Sequence, residues 1–221
     1  MPDTTIIKLT APTLTGLTAA TVHTDSQLNA LTTATIAATT SAPLTLDAVL
    51  ATHLTATINS ADYDGLIAEA HQLPATSNAD RYQFVLRPWL WWLTLASNNR
   101  VFQNLSAQEI VEKVFKDAGF TDYQFKLKTK SEKREYCLQY NESDFNFVSR
   151  LLELEGIFWF FTHKEGKHTL VLADDNSAFP PIAGEKKVKY QAAQSGERET
   201  GAIRSAELRL QATAQGFQSS D

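Results

Sequence analysis

The chain is poor in the features that usually betray a mechanism. Among 221 residues there is one cysteine, Cys137, so no internal disulfide can form, which fits folding in a reducing compartment. Long hydrophobic runs are missing. The two longest apolar stretches, around "WLWWLTLA" and "IFWFF", fall far short of the ~20 residues that cross a bilayer as a helix. Positive charge is not in excess either: 20 Lys and Arg against 25 Asp and Glu leave a net charge of -5 and a pI near 5.6. That balance gives no overall pull toward nucleic acid or an anionic membrane. The opening "MPDTTIIKLTAPTLTG" lacks a basic n-region and an apolar h-region, so no signal peptide is evident. The expectation is a soluble protein made in the cytoplasm, without nucleic-acid binding and without an integral membrane segment. No G-x-S-x-G, P-loop or G-x-G-x-x-G occurs.

What is present is an ordinary globular composition, 43% hydrophobic and 20% charged, on a chain long enough for one large domain or two modest ones. Residues 1 to about 60 are rich in Thr, Ala, Leu and Val with almost no Lys or Arg, and "LNALTTATIAATT" reads as strand. "LDAVLATHLTATI" (46–58) reads either as a short helix entering a strand or as strand alone. "ADYDGLIAEAHQL" carries a bend marked by Gly65. In "SNADRYQFVLRPWLWWLTLAS" a polar turn precedes a strand on which Tyr82, Phe84 and Leu86 alternate with polar neighbours, and Pro88 ends regular pairing or puts it at an edge.

From residue 101 the pattern changes. "NLSAQEIVEKVFKDAGF" is a helix with a Ser106/Glu109 capping box, an apolar stripe of Ile110, Val114 and Phe115, and a stop at Gly119. "DYQFKLK" and "REYCLQY" follow as strands, the second with Tyr136, Leu138 and Tyr140 on one face. A second helix is capped by Asn141, favoured at its start by Glu142 and Asp144, and stopped by Gly156. Its inward side is Phe147, Val148, Leu151, Leu152 and Leu154. "IFWFF" is apolar on both faces, as a sandwiched strand must be, and "HKEGKH" is a hairpin connection into "TLVLADD". Further on, "KKVKYQ" and "AIRSAELRLQA" read as strands around a polar stretch.

Candidate chemistry is sparse. His163 and His168 flank the hairpin turn, with Asp174 and Asp175 beyond, but without a Cys partner or a helical H-x-x-x-H spacing. A metal hydrolase centred on those two histidines would require bound metal. Cys137 has no surroundings that activate a thiol. Glu153 and Glu155 sit at i and i+2 of a helix and point apart. Trp89, Trp91 and Trp92 of "RPWLWW", with Arg81 and Arg87 near, form either core packing or a platform strand that stacks a sugar or peptide. Lys186, Lys187 and Lys189 suit a solvated strand edge. The residues supply no catalytic, cofactor-binding or metal-ligating set.

One stretch carries more. "REYCLQYNESDFNFVSRLLELEGIFWFF" strongly resembles the VgrG family, the spike proteins of bacterial type VI secretion systems, with its Y-C-x-Q-Y-x-E-S-D-x-x-F-V-x-R-L-L-E-x-E-G-I segment. Tyr136, Cys137, Gln139, Tyr140, Glu142, Ser143, Asp144, Phe147, Val148, Arg150, Leu151, Leu152, Glu153, Glu155, Gly156 and Ile157 match in place, and His168, Leu170, Leu172 and Asp174 continue the match. "YQFVLRPWLWWL", "NNRVFQNLSAQEI" and "YDGLI" are similar to the family as well. The resemblance covers roughly residues 60 to 175 well and 15 to 60 loosely. It implies an α+β, mainly β, phage tail hub-like fold. A β-barrel-like subdomain would begin over residues 1–98, an inserted α/β subdomain would occupy 99–180, and 181–221 would return to the first. It further implies a non-enzymatic hub that forms a homotrimer, caps a hexameric, Hcp-like tube protein and serves effectors or adaptors. Such a protein assembles in the bacterial cytoplasm and is secreted or injected by the type VI apparatus. Because the family continues into a second barrel, a neck and a β-helical needle, the expectation is that these 221 residues are a fragment of a longer spike. A carbohydrate- or peptide-binding module built on "RPWLWW" is the alternative.

Overall fold

The computed structural model describes residues 7–12, 14–58, 61–76, 79–179 and 190. Met1–Ala178 is one compact unit and Phe179–Asp221 another. Of the second unit only Phe179 and Tyr190 are described, so the strands expected in "KKVKYQ" and "AIRSAELRLQA" lie, Tyr190 apart, outside the described residues.

Alternation builds the first layer. β1 (Ile7–Thr10), β2 (Thr18–Asp25), β3 (Thr33–Thr40), β4 (His53–Ile58), β5 (Ala61–Thr76) and β6 (Ala79–Arg87) form one sheet in the order β1-β4-β5-β6-β3-β2. Every neighbouring pair is antiparallel. The two outer strands, β1 and β2, also approach each other, so the sheet is nearly closed into a barrel. On β3, Ala34, Ile36, Ala38 and Thr40 point inward while the intervening residues do not. This period of two is what a strand with one buried face requires. Tyr82, Phe84 and Leu86 of β6 fill the same interior, as their spacing predicts, with Ile36, Leu54 and Ile67 beside them.

Residues 46–58 resolve as a short helix entering a strand: α1 (Leu46–Val49) precedes β4. Gly65 does not mark a bend. β5 runs straight through it, and a Cβ there would lie 3.0 Å from Leu86 Cβ and 3.3 Å from the Arg87 carbonyl. The glycine lets two strands approach closely instead of turning the chain. Pro88 ends β6 as expected. The following Trp89–Thr94, however, is a 3-10 helix and not the strand that "RPWLWW" suggested.

The second layer is α/β. β7 (Ser97–Ser106) pairs antiparallel with β9 (Lys133–Ser143) in a two-stranded ribbon. β8 (Tyr123–Lys126), β10 (Phe158–Lys164) and β11 (Lys167–Ala173) make a three-stranded sheet in the order β10-β11-β8, with β8 parallel to β11. Helices α2 (Ala107–Asp117) and α3 (Asp144–Leu154) join them, and their apolar stripes meet Trp89, Leu90, Leu93, Phe102 and Trp159 in one core, except that Leu154, expected to face inward, is 66% exposed at the last turn of α3. The α2 capping box forms as read: the Glu109 N–H donates to Ser106 Oγ, and the Ser106 N–H donates to Glu109 Oε2 at 2.8 Å. At α3 the cap is Ser143, which accepts from the Asn146 N–H at 3.1 Å. Asn141, the expected cap, lies within β9 at φ +48° and donates its N–H to Asn99 Oδ1. The aromatic run after Gly156 divides between faces. Trp159 and Phe161 join the core edge to face, and Phe158 stacks on Phe160 half-buried on the other side. Glu165 and Gly166, both at positive φ, form the tight turn that closes the β10–β11 hairpin.

Candidate functional site

Three groups of side chains stand out. The first is a polar cluster at the joint between barrel and α/β layer. Asp64, on β5 with a fully buried side chain, is held from three sides. Its Oδ2 accepts from His168 Nδ1 at 2.7 Å and from His53 Nδ1 at 3.0 Å, and its Oδ1 accepts from Thr55 Oγ1 at 2.8 Å. The Trp89 N–H donates to His168 Nε2 at 2.8 Å, and the Asp64 N–H donates to His163 Nδ1 at 3.1 Å. These bonds fix the tautomers, since a nitrogen that accepts cannot carry the proton. His168 is therefore protonated on Nδ1 and His163 on Nε2. Burial works to raise the Asp64 carboxyl, but the hydrogen bonds from His168, His53 and Thr55 outweigh it and hold the group below its ordinary value. The Asp64 hydrogen bond raises His53, whereas burial lowers His163.

His53, Asp64 and His168 bring one potential ligand atom each within 4.8 Å of one another. The hydrogen bonds argue against an ion there. Binding at His168 Nδ1 would displace its proton to Nε2, against the Trp89 N–H. The metal reading paired His163 with His168 and added Asp174 and Asp175, and the fold separates these. The two imidazoles lie 6.3 Å apart with different duties, and Asp174 accepts from the Lys128 and Thr129 N–H groups. Asp175 pairs with Lys128 at 2.8 Å, which holds its carboxyl far below the ordinary range.

The second group is another buried carboxylate, Asp144. It accepts from Asn98 Nδ2, Arg100 Nη2 and Gln139 Nε2, while Gln139 Oε1 accepts from Arg100 Nε at 2.8 Å. These bonds lock the start of α3 to both strands of the ribbon. Beside them opens a cleft of about 460 Å³ lined by Trp92, Leu93, Phe120 and Asp117.

The third is the outer face of the ribbon. Tyr136, Leu138 and Tyr140 do share a face, as their alternation predicts, but it is the outward one. They are 57%, 40% and 73% exposed, and Val101, paired with Leu138, is 53% exposed. Cys137 and Gln139 point inward. Both ends of this apolar stripe are closed by ion pairs to α3 and its C-cap: Arg150 with Glu142 and Arg134 with Glu155, each at 2.7 Å. Glu155 is thereby held below its ordinary value, the hydrogen bonds from Arg134 and Ser131 outweighing the opposing effect of burial. Glu153 makes no part of that contact, so the two glutamates do diverge.

The tryptophan stretch does not build a platform. Trp89 is buried, stacked on Phe120 and edge-on to Phe115, while Trp91 and Trp92 are half-buried and edge to face with each other. Arg87 lies over the Trp91 ring, and Arg81 pairs in register with Thr39 on β3. Cys137 is a free buried thiol. No helix among the described residues is long and apolar enough to cross a membrane.

Sequence reasoning missed Asp64 and Asn29. Asp64 carried a signal, a carboxylate at an inward position of a strand. Asn29, at φ 56°, accepts from the Trp159 N–H and donates its own N–H to the Trp159 carbonyl, a contact 130 residues distant that no local pattern announces.

This architecture is similar to that of known tail and secretion proteins. The chain is 42% identical over 137 residues to the type VI secretion system spike protein VgrG1c of Pseudomonas aeruginosa, covering 62% of this chain and 19% of that protein. It thus spans about a fifth of that relative's length. The solved structure of the E. coli c3393 protein, described as a type VI secretion component similar to T4 tail proteins gp27 and gp5, matches with a TM-score of 0.74 at 27% identity. That match covers 78% of this chain and 50% of that one. The 43 kDa tail protein of prophage MuSo2 from Shewanella oneidensis shares the fold at 16% identity and a TM-score of 0.57, over 76% of this chain and 53% of that one. Residues 25–221 match the phage tail baseplate hub (GPD) family. With the VgrG motif of residues 136–157 lying on β9 and α3, the chain belongs to that hub family and is a VgrG family protein.

Proposed function

We propose that this chain is the hub region of a type VI secretion spike, a non-enzymatic part that trimerises and caps the hexameric inner tube for contractile injection of effectors. On this reading residues 1–98 start the barrel subdomain, 99–180 are the α/β insertion, and 181–221 return to the barrel. The spike assembles in the bacterial cytoplasm and leaves with the injected tube.

The observation that carries the trimer is the outer face of the β7–β9 ribbon. Val101, Tyr136, Leu138 and Tyr140 expose apolar surface in one stripe, while the charges at its ends are already paired within the chain. A surface of that kind suits another apolar protein face and has no use for a charged ligand. Tyrosines with two rotatable bonds are effective anchors at such contacts. In a cyclic trimer each copy presents this face to an unlike face of the next.

Sedimentation of the purified full chain tests the reading. Trimer in the parent, and monomer with an unchanged circular dichroism spectrum in a Tyr136→Ser, Leu138→Ser, Tyr140→Ser variant, is the expected result. A parent that stays monomeric at high concentration, or a variant that still trimerises, would remove the ribbon from the interface.

A further inference from the structure

The joint between the barrel and the β10–β11 hairpin rests on titratable groups to an unusual degree. His53 and Asp64 come from the barrel, His163 and His168 from the two strands of the hairpin, and each of the three histidines is hydrogen-bonded to Asp64. One face of this cluster is bonded to Trp89 through His168, so the 3-10 helix is tied in too. His53 and His163 are both half-buried, His163 beside the Tyr63 ring and a small cavity it shares with Arg87.

We propose that the His53–Asp64–His163–His168 cluster is a pH-sensitive clamp that ties β4, β5 and the β10–β11 hairpin together most firmly at pH ~6.5 and loosens on either side.

The two outer histidines act in opposite directions. His53 donates to a carboxylate, and its charged form completes an ion pair with Asp64; Asp122 reinforces that charge and Lys167 opposes it. Its affinity for a proton is raised by folding. The stability it contributes is therefore complete below its ordinary value near 6.5 and is lost as pH rises through the folded value. His163 must keep Nδ1 unprotonated to accept the Asp64 N–H. Burial and the neighbouring His168 lower its affinity for a proton, against the weaker pull of Asp64 and Asp62, and Arg87 lines the same cavity. Its contribution is complete above 6.5 and is lost as pH falls toward the folded value. Asp64 adds a further loss in stronger acid, below its ordinary 3.8. The sum is a peaked profile, with His53 setting the alkaline limb and His163 the acid limb.

Hydrogen–deuterium exchange of the β4, β5 and hairpin amides in the full chain, corrected for intrinsic exchange and followed from about pH 5 to about pH 9, reads the clamp directly. Protection should peak near the middle and fall on both sides, by up to about tenfold per pH unit within each titration range. His53→Asn keeps an N–H donor where Nδ1 stood but cannot charge, and should flatten the alkaline limb alone. His163→Asn keeps an acceptor there without a titratable ring, and should flatten the acid limb alone. A parent profile that is flat or runs in one direction across the range overturns the clamp, whether or not the variants fold. So do variants that retain both limbs.

Discussion

Asp144 shows how much a single side chain can be asked to do. Its place in the E-S-D motif suggests a carboxylate that favours a helix start, and it does occupy the first turn of α3. Yet the side chain is buried, and its oxygens gather Asn98, Arg100 and Gln139. Removing it leaves the Arg100 guanidinium, only 22% exposed, with Asp117 at 3.8 Å as its remaining ion-pair partner. Breaking a buried pair from one side strands the other charge, and Asp144→Ala should cost about 3 kcal/mol. The urea midpoint of the full chain measures it. A shift no larger than that of an exposed control such as Glu132→Ala would mean that Arg100 finds water instead. Asp64 differs in kind, because two of its donors are imidazoles where those of Asp144 are two amides and a guanidinium.

At the scale of elements, the sequence was most legible where a local rule acts alone. The α2 capping box, the glycine stops after both helices, the β6 alternation and the two-residue hairpin turn are each written in neighbouring residues, and each forms. Legibility ended where a distant partner decides. Gly65 reads as a bend until Leu86 and Arg87 are seen to need the space. "WLWWLT" reads as strand because its residues favour strands, but Pro88 and the pull of Trp89, Leu90 and Leu93 toward one core wind it into a 3-10 helix. β9 is the clearest case. Its period of two is plain, but which face turns inward depends on α3, which lies over Cys137 and the Gln139–Asp144 network and leaves the large residues outside. The two faces make a sharp comparison. Cys137→Ser puts a hydroxyl into the core and should cost about 1–2 kcal/mol, whereas Tyr136→Ser should stay within about 0.5 kcal/mol in the monomer. Thermal or urea unfolding at low protein concentration separates them. The reverse order would place Tyr136 in the interior.

At the scale of the molecule, two hydrophobic cores among the described residues share a polar seam. The barrel interior and the α/β core are each closed by their own side chains. Among the described residues, the bonds that cross between the two layers include the His168 and His163 contacts to Asp64, the Glu165 N–H to Asp62 Oδ2, and the reciprocal pair between Asn29 and Trp159. Partly buried Leu31 and Leu66, from barrel segments, also pack against the α/β core. Such a seam makes opening either core expensive, since it exposes Asp64 and the Trp159 backbone without their partners. The barrel and the α/β layer should therefore open together, with amides of β3 and β6 sharing one global opening free energy with those of α2 and α3. Native-state hydrogen exchange with a denaturant series tests this, and Asn29→Ala sharpens it. That variant removes the side-chain acceptor for the Trp159 N–H while leaving both interiors intact, so it should lower both sets of amides equally. Exchange that splits into two free energies in the parent would make 1–98 and 99–180 independently folding domains. The α/β layer would then be an insertion held in the hub by covalent continuity, and the seam a contact surface of little energetic weight.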